Sequence, residues 1–164
     1  MKQTYPLEQL ATIKKRRLEE AERVLKEKKE QLEKEKEKQK ELEEERNTTF
    51  KHRAAKLKQL RDKLDAGTTS DKIEMMREYI KVVDEELKQK EKKVQDQIKV
   101  VEEAAEAVEA ARKDMVKKQH DVEKLKMHRK EWEKEMRVLE VYEEGVENDD
   151  LGTAMHTTKK HKRR

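Results

Sequence analysis

The chain has 164 residues, of which 50% are charged, 32% hydrophobic and 3% aromatic. That is too little apolar surface to offset the conformational entropy of a compact domain of this length, so only a disordered polyampholyte or a long helix with a narrow apolar stripe remains. The formal charge is only +4, with 43 basic and 39 acidic residues interspersed, which excludes a strong field of one sign of the kind that nucleic acids and anionic membranes attract.

Glycine and proline are sparse and divide the chain into an opening, two long unbroken segments and a tail. Pro6 suits a first helical turn, where its missing N–H has no partner to lose. Helix one then spans about 7–65. Leu18, Leu25 and Leu32 lie seven apart, followed by the polar Gln39 and Arg46. Phe50, Leu57 and Leu64, with Leu60 between them, form a second series, and the step of four from Arg46 to Phe50 reads as a stutter that locally unwinds a supercoil. Between residues 14 and 46, 25 of 33 positions are charged. Pairs such as Glu22/Lys26 and Glu30/Lys34 support such a helix by only about 0.2–0.5 kcal/mol each, so it needs a partner.

The turn is expected at 66–70. In Asp65-Ala-Gly-Thr-Thr-Ser-Asp71, Gly67 supplies the left-handed conformation that ends a helix. Thr68 and Thr69 follow, Ser70 or Asp71 caps the next helix, and Asp71 with Glu74 has capping-box spacing. Helix two is expected over about 71–146. Counting in sevens from Ile73 gives Ile80, Leu87, Val94, Val101, Val108, Met115, Val122, Arg129, Met136 and Glu143, nine of eleven apolar. Disorder does not produce such a register, and a strict seven-residue period implies a left-handed supercoil. The fold class is therefore all-α: a long antiparallel two-helix coiled-coil hairpin over 1–146, with a flexible charged tail over 147–164.

If the chain folds back about its turn, residue i lies beside about 137 − i. Gln39 and Arg46 then fall at the level of Gln97 and Lys90, so the polar layers of the two helices coincide. The alanines Ala104, Ala105, Ala107, Ala110 and Ala111 let the axes approach near residues 26–33, and Lys28 packs its stem while its head reaches Glu109. Helix two overhangs helix one beyond residue 131 with Trp132, Met136, Leu139, Tyr142 and Val146. This stripe reads as a docking surface, or as one that Tyr5 and Leu7 fold over in part, or as a frayed end. Lys159-Lys-His-Lys-Arg-Arg164 reads as a solubilising disordered end or as a binder of anionic lipid, nucleic acid or an acidic protein face.

Chemistry is not expected. The three glycines are isolated, the histidines fall in no zinc-binding spacing, and Ser70 is the sole serine. A thin rod has no concave pocket to shift a carboxylate's pKa. Catalytic, metal and cofactor sites are all expected to be absent, and the chain is read as non-enzymatic. Cysteine is absent, which fits a reducing compartment. No apolar run approaches the ~18 residues of a membrane span, and the start does not read as a signal peptide.

Three stretches carry a family resemblance: Tyr5-Pro-Leu-Glu-Gln-Leu-Ala-Thr-Ile-Lys-Lys15; the turn Asp65–Asp71 with Tyr79-Ile-Lys-Val-Val83; and His128-Arg-Lys-Glu-Trp132. Together with the hairpin plan, they make the chain resemble the type III secretion stalk proteins of the YscO kind, its chlamydial members above all. These proteins are similar to the flagellar export protein FliJ and to the central stalk of rotary ATPases. The resemblance implies a central-stalk component that binds the hexameric export ATPase and links it to the cytoplasmic ring of the export gate. It also implies escort of unoccupied secretion chaperones, contact with the needle-length regulator, and a place in the bacterial cytoplasm, peripheral at the base of the secretion apparatus. The paired termini would enter the ATPase ring, giving a candidate ATPase-contacting tip of Tyr5, Leu7, Leu10, Ile13, Trp132, Met136 and Leu139. No nucleic acid and no stable membrane insertion are expected, and the free chain is expected to be a monomeric hairpin. The alternative is a structural coiled-coil homodimer or scaffold with a basic tail, against which the turn Gly67, Thr68, Thr69, Ser70 and Asp71 argues.

Overall fold

A computed structural model describes residues 3–162; the parts of the expected hairpin and tail at 1–2 and 163–164 lie outside the described residues. Two helices, α1 (Glu8–Ala66) and α2 (Ser70–His161), form an all-α antiparallel hairpin. The Leu7 carbonyl accepts the first helical bond of α1 from the Ala11 N–H at 2.9 Å. Pro6 lies just ahead, in a turn in which the Glu8 N–H donates to the Tyr5 carbonyl at 3.2 Å. Glu8 in the first turn and Lys63 in the last complement the α1 dipole.

The connection is Gly67, Thr68 and Thr69. Gly67 has φ 82°, and a Cβ there would meet nothing within 4 Å, so glycine is required by the backbone and not by packing. The α2 start differs from the expected cap. The Thr69 carbonyl accepts from the Ile73 N–H at 3.2 Å, which makes Thr69 the N-cap and puts Ser70 and Asp71 inside the first turn. Asp71 therefore acts as a first-turn carboxylate at the positive end of the dipole, not as the head of a capping box.

α2 also differs from its expected span, continuing through Gly145 and Gly152 to His161, into the segment read as a flexible tail. A lone helical glycine costs about 1 kcal/mol, which weakens a helix without ending it. Basic Lys159, Lys160 and His161 in the last turn suit its negative end.

The described chain divides into two compact units, residues 22–113 and residues 3–21 with 114–162. In the first, Leu25, Ile80, Val83, Val94 and Val108 are buried, and Val94 is only 1% exposed. Of the four from α2, Ile80, Val94 and Val108 lie on its predicted seven-residue series, and Val83 lies three residues after Ile80, on the same seam. The α1 seam differs from the expected one. Leu25, Leu32, Gln39, Arg46, Arg53 and Leu60 keep strict sevens and are all buried or half-buried, with Thr49 buried between them. Phe50 is 58% exposed and Leu64 is exposed too. The stutter is thus absent, because polar residues, and not the next apolar one, continue the register.

Those polar residues find partners. Arg46 donates to the Glu91 carboxylate at 3.2 Å, and Arg53 pairs with Asp84. Lys90 donates to the Thr49 hydroxyl at 2.7 Å and meets Glu86 at 3.2 Å. Buried Gln97 donates to the Glu35 backbone carbonyl at 3.0 Å and its carboxylate at 2.6 Å. The pairs Arg46–Glu91 and Arg53–Asp84 obey the expected relation between opposite residues. Half-buried Gln39 bonds to Glu43 on its own helix at 2.9 Å. One local expectation fails: Glu109 meets Arg112 at 3.7 Å while Lys28 is exposed. Among the described residues no buried side-chain nitrogen or oxygen lacks a partner, as buried polar layers require.

Candidate partner-binding tip

The second unit holds the residues nominated for the tip. Tyr5, outside any helix, is only 5% exposed. Its hydroxyl lies 2.8 Å from His128 Nδ1, and its ring stands 5.4 Å from that of Trp132, tilted by 59°. Tilted aromatic pairs at this spacing are favourable beyond their buried area. The Arg129 guanidinium lies over the Tyr5 ring at 5.6 Å and pairs with Glu8 at 2.9 Å and Glu133 at 3.2 Å. One residue of the opening segment is thereby clamped by three from one turn of α2.

The hydrogen bond to Glu133, followed by the charge of Glu8, raises the Arg129 pKa above its ordinary value. Deeper along the pair, Lys14 meets Asp121 at 3.1 Å. That hydrogen bond, with the Lys14 charge behind it, lowers the Asp121 carboxyl below its ordinary value.

The nominated residues divide. Tyr5 and Trp132 touch. Trp132, Met136 and Leu139 line one shallow groove with Gln3. Leu7 is half-buried on the seam, whereas Leu10 and Ile13 are exposed and lie outside that groove lining. At the turn, Thr68 is half-buried and the other four nominated residues are exposed. Of the overhang, Tyr5 covers Trp132, while Leu139, Tyr142 and Val146 stay exposed.

Sequence reading missed His128 and Arg129 as members of this cluster. Arg129 carried a signal, since it was the charged exception in the seven-residue series. His128 stood only as the first residue of the family-like stretch His128–Trp132, which gave no sign of its contact, because that depends on Tyr5 arriving from far away in sequence. His52 and Tyr79 form a like contact in the other unit, Nε2 to hydroxyl at 2.9 Å with the rings edge-on.

Among the described residues no group of His, Asp or Glu is placed to hold a metal ion, and no helix is long and apolar enough to cross a membrane. The chemistry available is that of recognition: an aromatic anchor, paired charges and an apolar stripe.

A family model for YscO-like proteins matches residues 2–162. The chain belongs to the YscO-like family. This YscO-like chain is 41% identical to a solved YscO homolog from Chlamydia trachomatis, over 98% of this chain and 99% of that one, with a TM-score of 0.89. A chain in a solved complex of the Chlamydia pneumoniae CdsV and CdsO proteins is 48% identical, over 49% of this chain and 96% of its own length, with a TM-score of 0.47. No curated protein matches. The resemblance carried by the opening, turn and His128–Trp132 stretches is borne out.

Proposed function

We propose that this YscO-like chain is the central stalk of a type III secretion export apparatus in the bacterial cytoplasm. It binds the hexameric export ATPase through its paired-termini end and links the ATPase to the cytoplasmic ring of the export gate. Escort of unoccupied chaperones and contact with the needle-length regulator belong to the same reading, as does a non-enzymatic role. The observation that carries it is the family match over residues 2–162. Supporting it is the site itself, in which buried Tyr5 braces the half-buried Trp132, and Trp132 with Met136 and Leu139 lines a shallow groove that offers an aromatic anchor with a polar surround. Such anchors dominate protein interfaces. Densely mixed charge along the rest of the surface suits a stalk that meets successive ATPase subunits, because isolated exposed ion pairs hold weakly.

The test adds purified chain to its cognate export ATPase and follows turnover. Stimulation is expected, and Trp132→Ala/Met136→Ala weakens it. Absence of both stimulation and co-migration would overturn the stalk reading.

A further inference from the structure

The last part of α2 is paired with nothing in the described chain. α1 begins at Glu8, which meets Arg129, and among the described residues the opening segment places Gln3 beside Met136 and Leu139. Beyond that, Val138, Leu139, Val141, Tyr142 and Val146 are exposed, Tyr142 by 70%. At about 100° per residue, Leu139, Tyr142 and Val146 share one face with Val138 at its border. Asp149 lies within the border of that face and Asp150 and Glu143 along its other edge, while Glu144 lies on the opposite side with Glu140 and Glu147 turned away from the stripe.

Charge separates this segment from the rest of the molecule. From Val138 to Thr158 there are six carboxylates and no lysine or arginine, the longest stretch of the chain free of both. Elsewhere the signs alternate and the helices pair across them, as Arg46–Glu91 and Lys14–Asp121 do. An exposed apolar stripe edged by carboxylates alone is repelled by nucleic acid and by anionic lipid. A second copy laid along it would set carboxylates against carboxylates.

We infer that α2 docks this stripe, centred on Leu139, Tyr142 and Val146, into an apolar groove of a partner protein rimmed by lysine and arginine. Glu143, Asp149 and Asp150 meet the rim, and the apolar side chains fill the groove, the mode in which an amphipathic helix is recognised by every third and fourth residue. The inference rests on the stalk reading for the identity of the first partner to try, the export ATPase, and extends the contact about two turns past Leu139.

The experiment measures affinity of the full chain for the cognate ATPase at two ionic strengths, with circular dichroism to show that each variant keeps its helix content. Glu143→Lys/Asp149→Lys/Asp150→Lys is expected to weaken binding by about tenfold or more, and to remove most of the salt dependence, because complementary charges across an interface are replaced by like ones. Glu140→Lys/Glu144→Lys/Glu147→Lys changes net charge equally away from the stripe and is expected to change affinity by less than about threefold. Tyr142→Ala/Val146→Ala weakens binding without altering its salt slope. If wild type binds and the two triple variants behave alike, the docking face is wrong while the stalk reading stands. If wild type does not bind at all, both fall. A concentration-dependent dimer that the first triple variant abolishes assigns the stripe to a second copy and overturns the inference.

Discussion

The two units solve the same problem, holding α1 against α2 with very few apolar residues, by different means. In residues 22–113 the buried side chains form a seam in which valine and isoleucine alternate with polar layers, Gln97 on Glu35 and Lys90 on Thr49. Where the opening segment meets α2, one clamp dominates, with Tyr5 set among His128, Arg129 and Trp132. Polar layers fix register, since a slip would leave buried groups unpaired. An aromatic clamp fixes an end, and its loss frees that end alone. The comparison predicts a cooperative response in the first unit and a local one in the second.

The strongest way to break the first unit is Val94→Asp. Val94 is its most buried side chain, and an unpaired carboxylate there is expected to cost about 3 kcal/mol or more. A large fall in the melting midpoint followed at 222 nm is the expected result, with hydrogen exchange rising over both helices of residues 22–113. Exchange confined to α2 would mean that the seam is not one cooperative element.

A smaller and more local effect is expected at Tyr5. Tyr5→Ala removes a buried aromatic contact of about 2 kcal/mol at the end of the pair. Trp132 is the sole tryptophan, so its emission reports this site directly and should shift to the red, with little change in the main melting transition. Tyr5→Phe keeps the ring against Trp132 and loses only the bond to His128, worth about 1 kcal/mol, so the red shift should be largely absent. A main transition that falls as far for Tyr5→Ala as for Val94→Asp would erase the distinction between the units.

The same contrast explains what the sequence revealed. The α2 seam was legible because Ile80, Val83, Val94 and Val108 occupy it with apolar side chains, and period is carried by apolarity. The α1 seam was misread at Phe50 because apolarity was followed where it was not the signal. Arg46, Arg53 and Lys56 keep seam positions through their long stems, with the Arg46 and Arg53 heads reaching Glu91 and Asp84. Thr49 is buried because Lys90 satisfies its hydroxyl. At the candidate site, Trp132 was visible as an aromatic on the overhang, but its covering by Tyr5 was only one of several readings. Which reading holds depends on the turn Pro6 makes before Glu8. The end of helix two was expected at about 146, just past Gly145, whereas α2 runs on to His161, since a glycine's cost is local and the chain after it is otherwise helix-compatible.

The smallest effect concerns the ion pair that ties α1 to α2 within the clamped unit. The Asp121 carboxyl is held below its ordinary value, first by the hydrogen bond from Lys14 and then by its charge. A carboxyl whose pKa is lower folded than unfolded contributes stability that is fully present above the unfolded value of about 3.9 and is lost as pH falls through the folded one. Lys14→Met should therefore raise the Asp121 pKa toward its ordinary value, read from its carboxyl carbon resonance. It should also lower stability slightly at neutral pH, and the gap from wild type should close as pH drops below about 3.9. The effect is modest because both side chains are only half-buried and salt screens such pairs. Its location is the informative part. The change should leave the exchange of residues 22–113 untouched, and a gap that persists in acid would mean that Lys14 acts through its packed stem and not through its charge.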